Sequence, residues 1–352
     1  MIARACVHWN QGAFTAIEKN RLTLQQEAVF RPLELVAGVI VVLNGGGVVG
    51  LALVHTIAWW LQASSGFWVV RKHVRFEMHL LSRRQIIAIL RNGLPIGFAA
   101  AVAIWLQQGP LIVAKQSLLF SPDDIGQLAV AMQAFFIILV LPTAIGMAAL
   151  PAVSRSVLRG DGNDTLFAAG VTIAGWLLGT IGGLCGLAIG PGIVTALLGP
   201  EYRLAGELLG LTPWLIIPIT IAITCRQVLI AHEDYLVPLV GVVTGLAIFG
   251  VVLVPCISTF GIYGPVVAAG IGMVAWAVVL VAALMRRTGF DLAGCVALPG
   301  LVCGGAAGTY LVLADYSVAI ALGVATLILV AGFAWLACRY KVLREGLSPG
   351  ER

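Results

Sequence analysis

The sequence predicts an all-α integral membrane protein with about ten transmembrane helices. Three observations predict it. Of 352 residues, 60% are apolar and only 11% are charged, against about 25% charged in soluble domains. The mean hydropathy is +1.01. The basic residues are sorted: of the 21 Lys and Arg, seventeen fall in every second gap between apolar runs, and two more, Arg31 and Arg226, lie in the runs beside those gaps. A soluble globule still needs a polar exterior, and it has no reason to sort its positive charge this way. A positive-inside membrane protein has one.

A spanning helix needs about 20 mostly apolar residues. Ten runs meet this in order: 22–43, 48–70, 92–114, 124–150, 166–190, 205–229, 235–256, 262–285, 293–313 and 317–338. All must be helices, because lipid offers no water to satisfy open backbone groups. The first is the most polar, holding Gln25, Gln26, Glu27, Arg31 and Glu34 with Pro32 between them. A rival reading makes 35–61 one long helix. Charge parity decides between them. The N-terminal segment holds three basic residues, four with Arg31 in the first run, and the gap 71–91 holds six. One crossing would place them on opposite sides. Two crossings that turn at Asn44-Gly45-Gly46-Gly47 keep both groups inside.

The inside gaps are then the N-terminus, 71–91, 154–164, the short gap near 230, 286–291 and the C-terminal tail. Lys115 and Arg203 fall in or beside the outside gaps, which carry Asp123, Asp124, Glu201 and Asp315. Both termini are expected to be cytoplasmic. Within 74–91, Phe76, Leu80, Ile87 and Leu90 share a helix face while Arg84 points to its side. This suits an amphipathic helix lying in the interface. It divides the chain into a first part over 1–73 with two crossings, the linker 74–91, six crossings over 92–285, and two more with a tail over 286–352.

Several function classes are set aside. The net charge of +5 is dispersed through short loops, which gives no nucleic-acid footprint. The seven cysteines, Cys6, Cys185, Cys225, Cys256, Cys295, Cys303 and Cys338, have no metal-ligand or redox spacing and read as small core residues. Residues 1–26 have no clean apolar stretch and no cleavage site. There is no GxSxG, Walker or HExxH motif. No enzyme and no cofactor is expected.

The chain holds 42 Gly and 15 Pro, many inside the predicted spans. Small residues let helices approach closely and Pro permits kinks. Bundles that rock between two states use both, which favours transport over a rigid scaffold. Ionisable and amide groups at membrane depth are functional candidates. Gln107, Gln108 and Lys115 lie in the third run, Gln133 in the fourth, Arg226 at the end of the sixth, and Arg31 in the first. Together they could line a positive, hydrogen-bonding cavity suited to an anionic diphosphate bearing sugars. Each also has a structural reading: Lys115 and Arg226 can snorkel to an interface, and Arg31 can pair with Glu34 three residues on. His55, in the second run, reads as a hydrogen-bonded interior histidine.

Several stretches then resemble a known family. They are Arg91-Asn92-Gly93-Leu94-Pro95, Asp124 to Ala131, Leu141-Pro142, Leu150 to Arg155, Leu198-Gly199-Pro200-Glu201-Tyr202, and Phe260 to Ala269. In this order and spacing the chain is similar to the polysaccharide-exporter and O-antigen flippase family of the multidrug/oligosaccharidyl-lipid/polysaccharide (MOP) superfamily. The resemblance implies a partial two-lobed MOP-exporter bundle that works by alternating access in a bacterial inner membrane. It implies a polyprenyl-diphosphate-linked oligosaccharide as cargo, with membrane lipids, a polysaccharide polymerase and glycosyltransferases as partners. Two departures stand out. Gln127 and Leu128 occupy a position where the family often has an aromatic, and the opening looks like the stretch after the family's fourth crossing. About four N-terminal helices are therefore expected to be missing relative to the family's usual twelve to fourteen. Two other readings stay open: a cation-coupled exporter of small molecules, for which Glu34 and Glu207 are the acidic candidates, and a non-transporting scaffold of a polysaccharide assembly complex.

Overall fold

A computed structural model describes residues 2–17, 19–73, 82–160, 163–289, 292–313, 318, 320–321 and 324–332. The fold is all-α, with no strand among the described residues. The helices are α1 (Ile2–Ala16), α2 (Asn20–Leu43), α3 (Gly47–His73), α4 (Arg83–Gln116), α5 (Pro122–Arg159), α6 (Asn163–Leu198), α7 (Arg203–Leu211), α8 (Ile216–Ala231), α9 (Leu236–Phe260), α10 (Gly264–Thr288) and α11 (Leu292–Leu313). Helical residues recur between 318 and 332. Among the described residues, five stretches are long and apolar enough to cross a bilayer: Arg83–Gln116, Pro122–Arg159, Asp164–Leu198, Pro200–Ala231 and Leu236–Thr288. The last is a pair of helices, α9 and α10, joined by a single 3-10 turn at Gly261–Tyr263.

Each predicted run over 22–313 falls on helix, with local differences. Neither α2, which holds the first run, nor α3 is among the five stretches named above. The N-terminal stretch, which has no clean apolar run, forms α1, which buries Ala3, Val7, Asn10 and Phe14 along one face. The interfacial helix expected over 74–91 is not separate where it is described. Residues 83–91 are the first turns of α4, and 74–81 lie outside the described residues. The run 205–229 is broken at Thr212–Leu215, where Pro213 tightens the backbone into a 3-10 turn between α7 and α8. The basic tail and Asp315 also lie outside the described residues.

The chain divides into two compact units, one comprising 1–89 with 147–151 and the other 90–146 with 152–352. In the first, α2 and α3 form an antiparallel hairpin against which α1 packs. The hairpin turns at Asn44 to Gly47, where Gly45 and Gly47 adopt φ of 76° and 56°, a conformation that costs glycine nothing. Its outward faces are apolar, exposing Leu33, Val36, Val39, Ile57, Trp60 and Phe67. Several of its polar residues meet between the helices, with Gln62 buried and Glu27, Arg31 and Glu34 partly buried. That is the reverse of a soluble helix pair and the arrangement lipid requires.

In the second unit α8 is the central element, buried along almost its whole length and packed between α6 and α10. Close approach explains much of the glycine content. A methyl group at Gly245 would stand 2.6 Å from the Gly272 carbonyl oxygen, and one at Gly272 would stand 2.6 Å from that of Gly245. α9 and α10 therefore touch backbone to backbone. The N-terminus of α5 is closed by a capping box between Ser121 and Asp124. That of α7 is closed from outside, by the Gln127 side chain accepting a 3.1 Å bond from the Ala205 amide. Gln127 thus has a structural task in this chain.

Candidate functional site

The densest polar constellation lies inside the first unit. On α2, Glu27, Arg31 and Glu34 recur at spacings of four and three, which places them on one face. On α3, His55, Trp59 and Gln62 recur in the same way. Because the hairpin is antiparallel, the two stripes meet head to tail, with Gln62 beside Glu27 and His55 beside Glu34.

Arg31 organises the cluster. Its Nε donates to Glu27 Oε2 at 2.8 Å, its Nη1 to Glu34 Oε2, and its Nη2 to Gln62 Oε1 at 2.7 Å. The guanidinium carbon also lies 4.3 Å from the centre of the Trp59 ring, a cation–π contact. Glu27 Oε1 accepts from Gln62 Nε2 at 2.8 Å and from Gln11 Nε2 of α1 at 3.0 Å. The Gln11 carbonyl oxygen in turn meets His8 Nδ1 at 3.0 Å. Glu34 Oε1 meets His55 Nδ1. All four carboxylate oxygens are therefore engaged. Trp59 is flanked by two imidazoles, with ring centres 5.8 Å from His55 and 6.3 Å from His8. Beside the cluster, a cavity of about 620 Å³ is lined by Arg31, Glu34 and His55 among apolar residues of α2 and α3.

The six candidate cavity residues divide between the two units. Arg31 belongs to the first, and its charge is compensated within the hairpin by two carboxylates. Gln107, Gln108, Lys115, Gln133 and Arg226 belong to the second. Lys115 and Gln133 are exposed, and Gln107 and Gln108 are half-buried. Among the described residues, no hydrogen bond joins any of these five to another. Arg226 differs from the rest. It stands on the central helix α8, and its Nε is buried without a hydrogen-bond partner. Glu207 is exposed on α7, pairing with Arg203 at 3.3 Å and accepting from the Tyr263 hydroxyl at 2.7 Å.

Sequence reasoning paired Arg31 with Glu34 but passed over Glu27, Gln62, Gln11, His8 and Trp59. A signal was available in the matching four-and-three spacing on both sides of a Gly turn. Among the described residues no group of His, Cys, Asp and Glu has the geometry of a metal site. Comparison with models of known families, with characterised proteins and with solved structures finds no match.

Proposed function

We propose that the chain is a membrane transporter that moves the headgroup of a polyprenyl-diphosphate-linked oligosaccharide across a bacterial inner membrane by alternating access, with both termini cytoplasmic. The ordered motif resemblance supplies the cargo class. The observation that carries the reading is Arg226, a guanidinium on the most buried helix of the second unit with an unsatisfied Nε. A cation at such a position, with no ion pair among the described residues, asks for an anionic partner, and a diphosphate offers bidentate acceptors to a guanidinium. Lys115 would then meet the headgroup near the end of α4.

The test is polysaccharide export in a host lacking its own copy of the gene, complemented with variants at matched membrane abundance. Arg226→Ala should lower export at least ten-fold, and Arg226→Lys, which keeps the charge but not the fork, should recover part of it. Full export by Arg226→Ala would overturn the reading and leave the scaffold reading standing. The small-molecule exporter reading draws support from a different observation, the two carboxylates Glu27 and Glu34 inside the hairpin.

A further inference from the structure

We infer that a groove between α8, α10 and α11 holds one acyl chain of an anionic bilayer phospholipid, whose phosphate binds at Arg286 and Arg287. The groove lies wholly in the second unit. It needs only the membrane fold and stands whatever the cargo.

The groove has a volume of about 800 Å³. Its floor is buried, with Ile217 and Ile221 of α8 and Ala277 of α10. Its rim is exposed, with Ile271, Val274 and Val278 of α10. It therefore opens sideways and reaches in between packed helices. No charged residue lines it, and the hydrogen-bonding side chains on its wall are the indoles of Trp176 and Trp214. Water there would find few partners, so hydrocarbon is the fitting occupant. The α10 residues on its wall run from Val266 to Met285. That is about 28 Å of helix axis, against a hydrocarbon core of about 30 Å. Half of this length matches the chains of one leaflet.

Charge stands at one end. Val274, Val278 and Ala282 recur every four residues on the α10 wall, and the next residue in that row is Arg286. Arg286 is exposed, and no ion pair among the described residues involves it. Arg287 donates from Nη2 to the His232 carbonyl oxygen, just past the end of α8, at 3.5 Å. The gap 286–291 holds one acidic residue, Asp291, outside the described residues, so the gap stays net positive. An apolar row that ends on a guanidinium matches a molecule with hydrocarbon along its length and negative charge at its head. A phosphatidylglycerol in the leaflet on the basic side has that form. A zwitterionic phospholipid supplies the chain but no net charge. Arginines at a helix C-terminus also complement its dipole and set topology. Neither of those roles needs the groove, and that separates the readings.

Full-length protein in a neutral detergent is titrated with dioleoyl phosphatidylglycerol and, separately, with dioleoyl phosphatidylcholine. Native mass spectrometry counts the bound lipid. Phosphatidylglycerol should bind about ten-fold more tightly, from about five-fold per basic residue at a membrane surface and less for Arg287, which is shared with the His232 carbonyl. Arg286→Gln combined with Arg287→Gln should erase that preference and leave phosphatidylcholine binding unchanged. Ala282→Trp fills the groove from an exposed position. It should weaken both lipids about ten-fold or more, the cost of leaving two methylenes unburied. Should that variant fold poorly, Val278→Phe, also at an exposed position, fills the same groove. Equal binding of the two lipids, a preference that survives the double substitution, or affinity unaffected by groove filling overturns the proposal. Displacement of the phosphatidylglycerol by an equimolar prenyl phosphate also overturns it and assigns the groove to a prenyl chain.

Discussion

Replacing Arg31 with Met tests whether the hairpin is held by its charge cluster or only by its apolar faces. Methionine keeps most of the stem volume and removes the guanidinium. Three donated hydrogen bonds are lost, two of them to carboxylates, together with the contact on Trp59. Removing one member of a fully buried ion pair costs about 3–5 kcal/mol, because the partner charge is left uncompensated. Arg31 and Glu27 are each 35% exposed and Glu34 17%, so the figure is discounted to about 2–3 kcal/mol. The diagnostic is the double variant. Glu34→Gln removes one of the two orphaned charges, so it should rescue part of the loss when added to Arg31→Met. The coupling should be about 1–2 kcal/mol. Thermal unfolding followed by tryptophan fluorescence in nanodiscs should show Arg31→Met falling by about 5 °C and the double variant recovering part of that. Losses that simply add, or an Arg31→Met midpoint equal to wild type, would refute the cluster as a stabilising unit.

Two further predictions concern the second unit. Gly272→Val should be among the most damaging single changes there, because the added atoms would force α9 and α10 apart where a Cβ would already lie 2.6 Å from a backbone carbonyl. A loss of about 3 kcal/mol or more is expected, read as a lowered unfolding midpoint, and an unchanged midpoint would contradict the backbone contact. Gln127→Ala should cost about 1 kcal/mol by opening the N-terminus of α7. The Ala205 amide should then exchange hydrogen faster than in wild type, and an unaltered rate would show that the cap carries no stability.

The site was legible in part. Arg31, Glu34 and His55 are visible as ionisable residues within apolar runs, and Arg31 with Glu34 is within reach of a pairing rule that needs only sequence spacing. Glu27 was visible too, but as a flaw in a predicted crossing rather than as part of a site. Gln62 and Trp59 look unremarkable along α3 and acquire a role only when the stripe on α2 is laid against them.

By itself the sequence determined the all-α class, the positions of most helices and the Gly turn between α2 and α3. These follow from hydropathy, from the need to satisfy each backbone group within its own segment, and from glycine's tolerance of positive φ, all of which are local. The tertiary structure alone decided which polar residues share a site, that Gln127 closes a helix 78 residues away, and that Arg31 is compensated while the Arg226 Nε is not. Those outcomes depend on which faces of distant helices meet, and on charges whose cost is set by the groups packed around them.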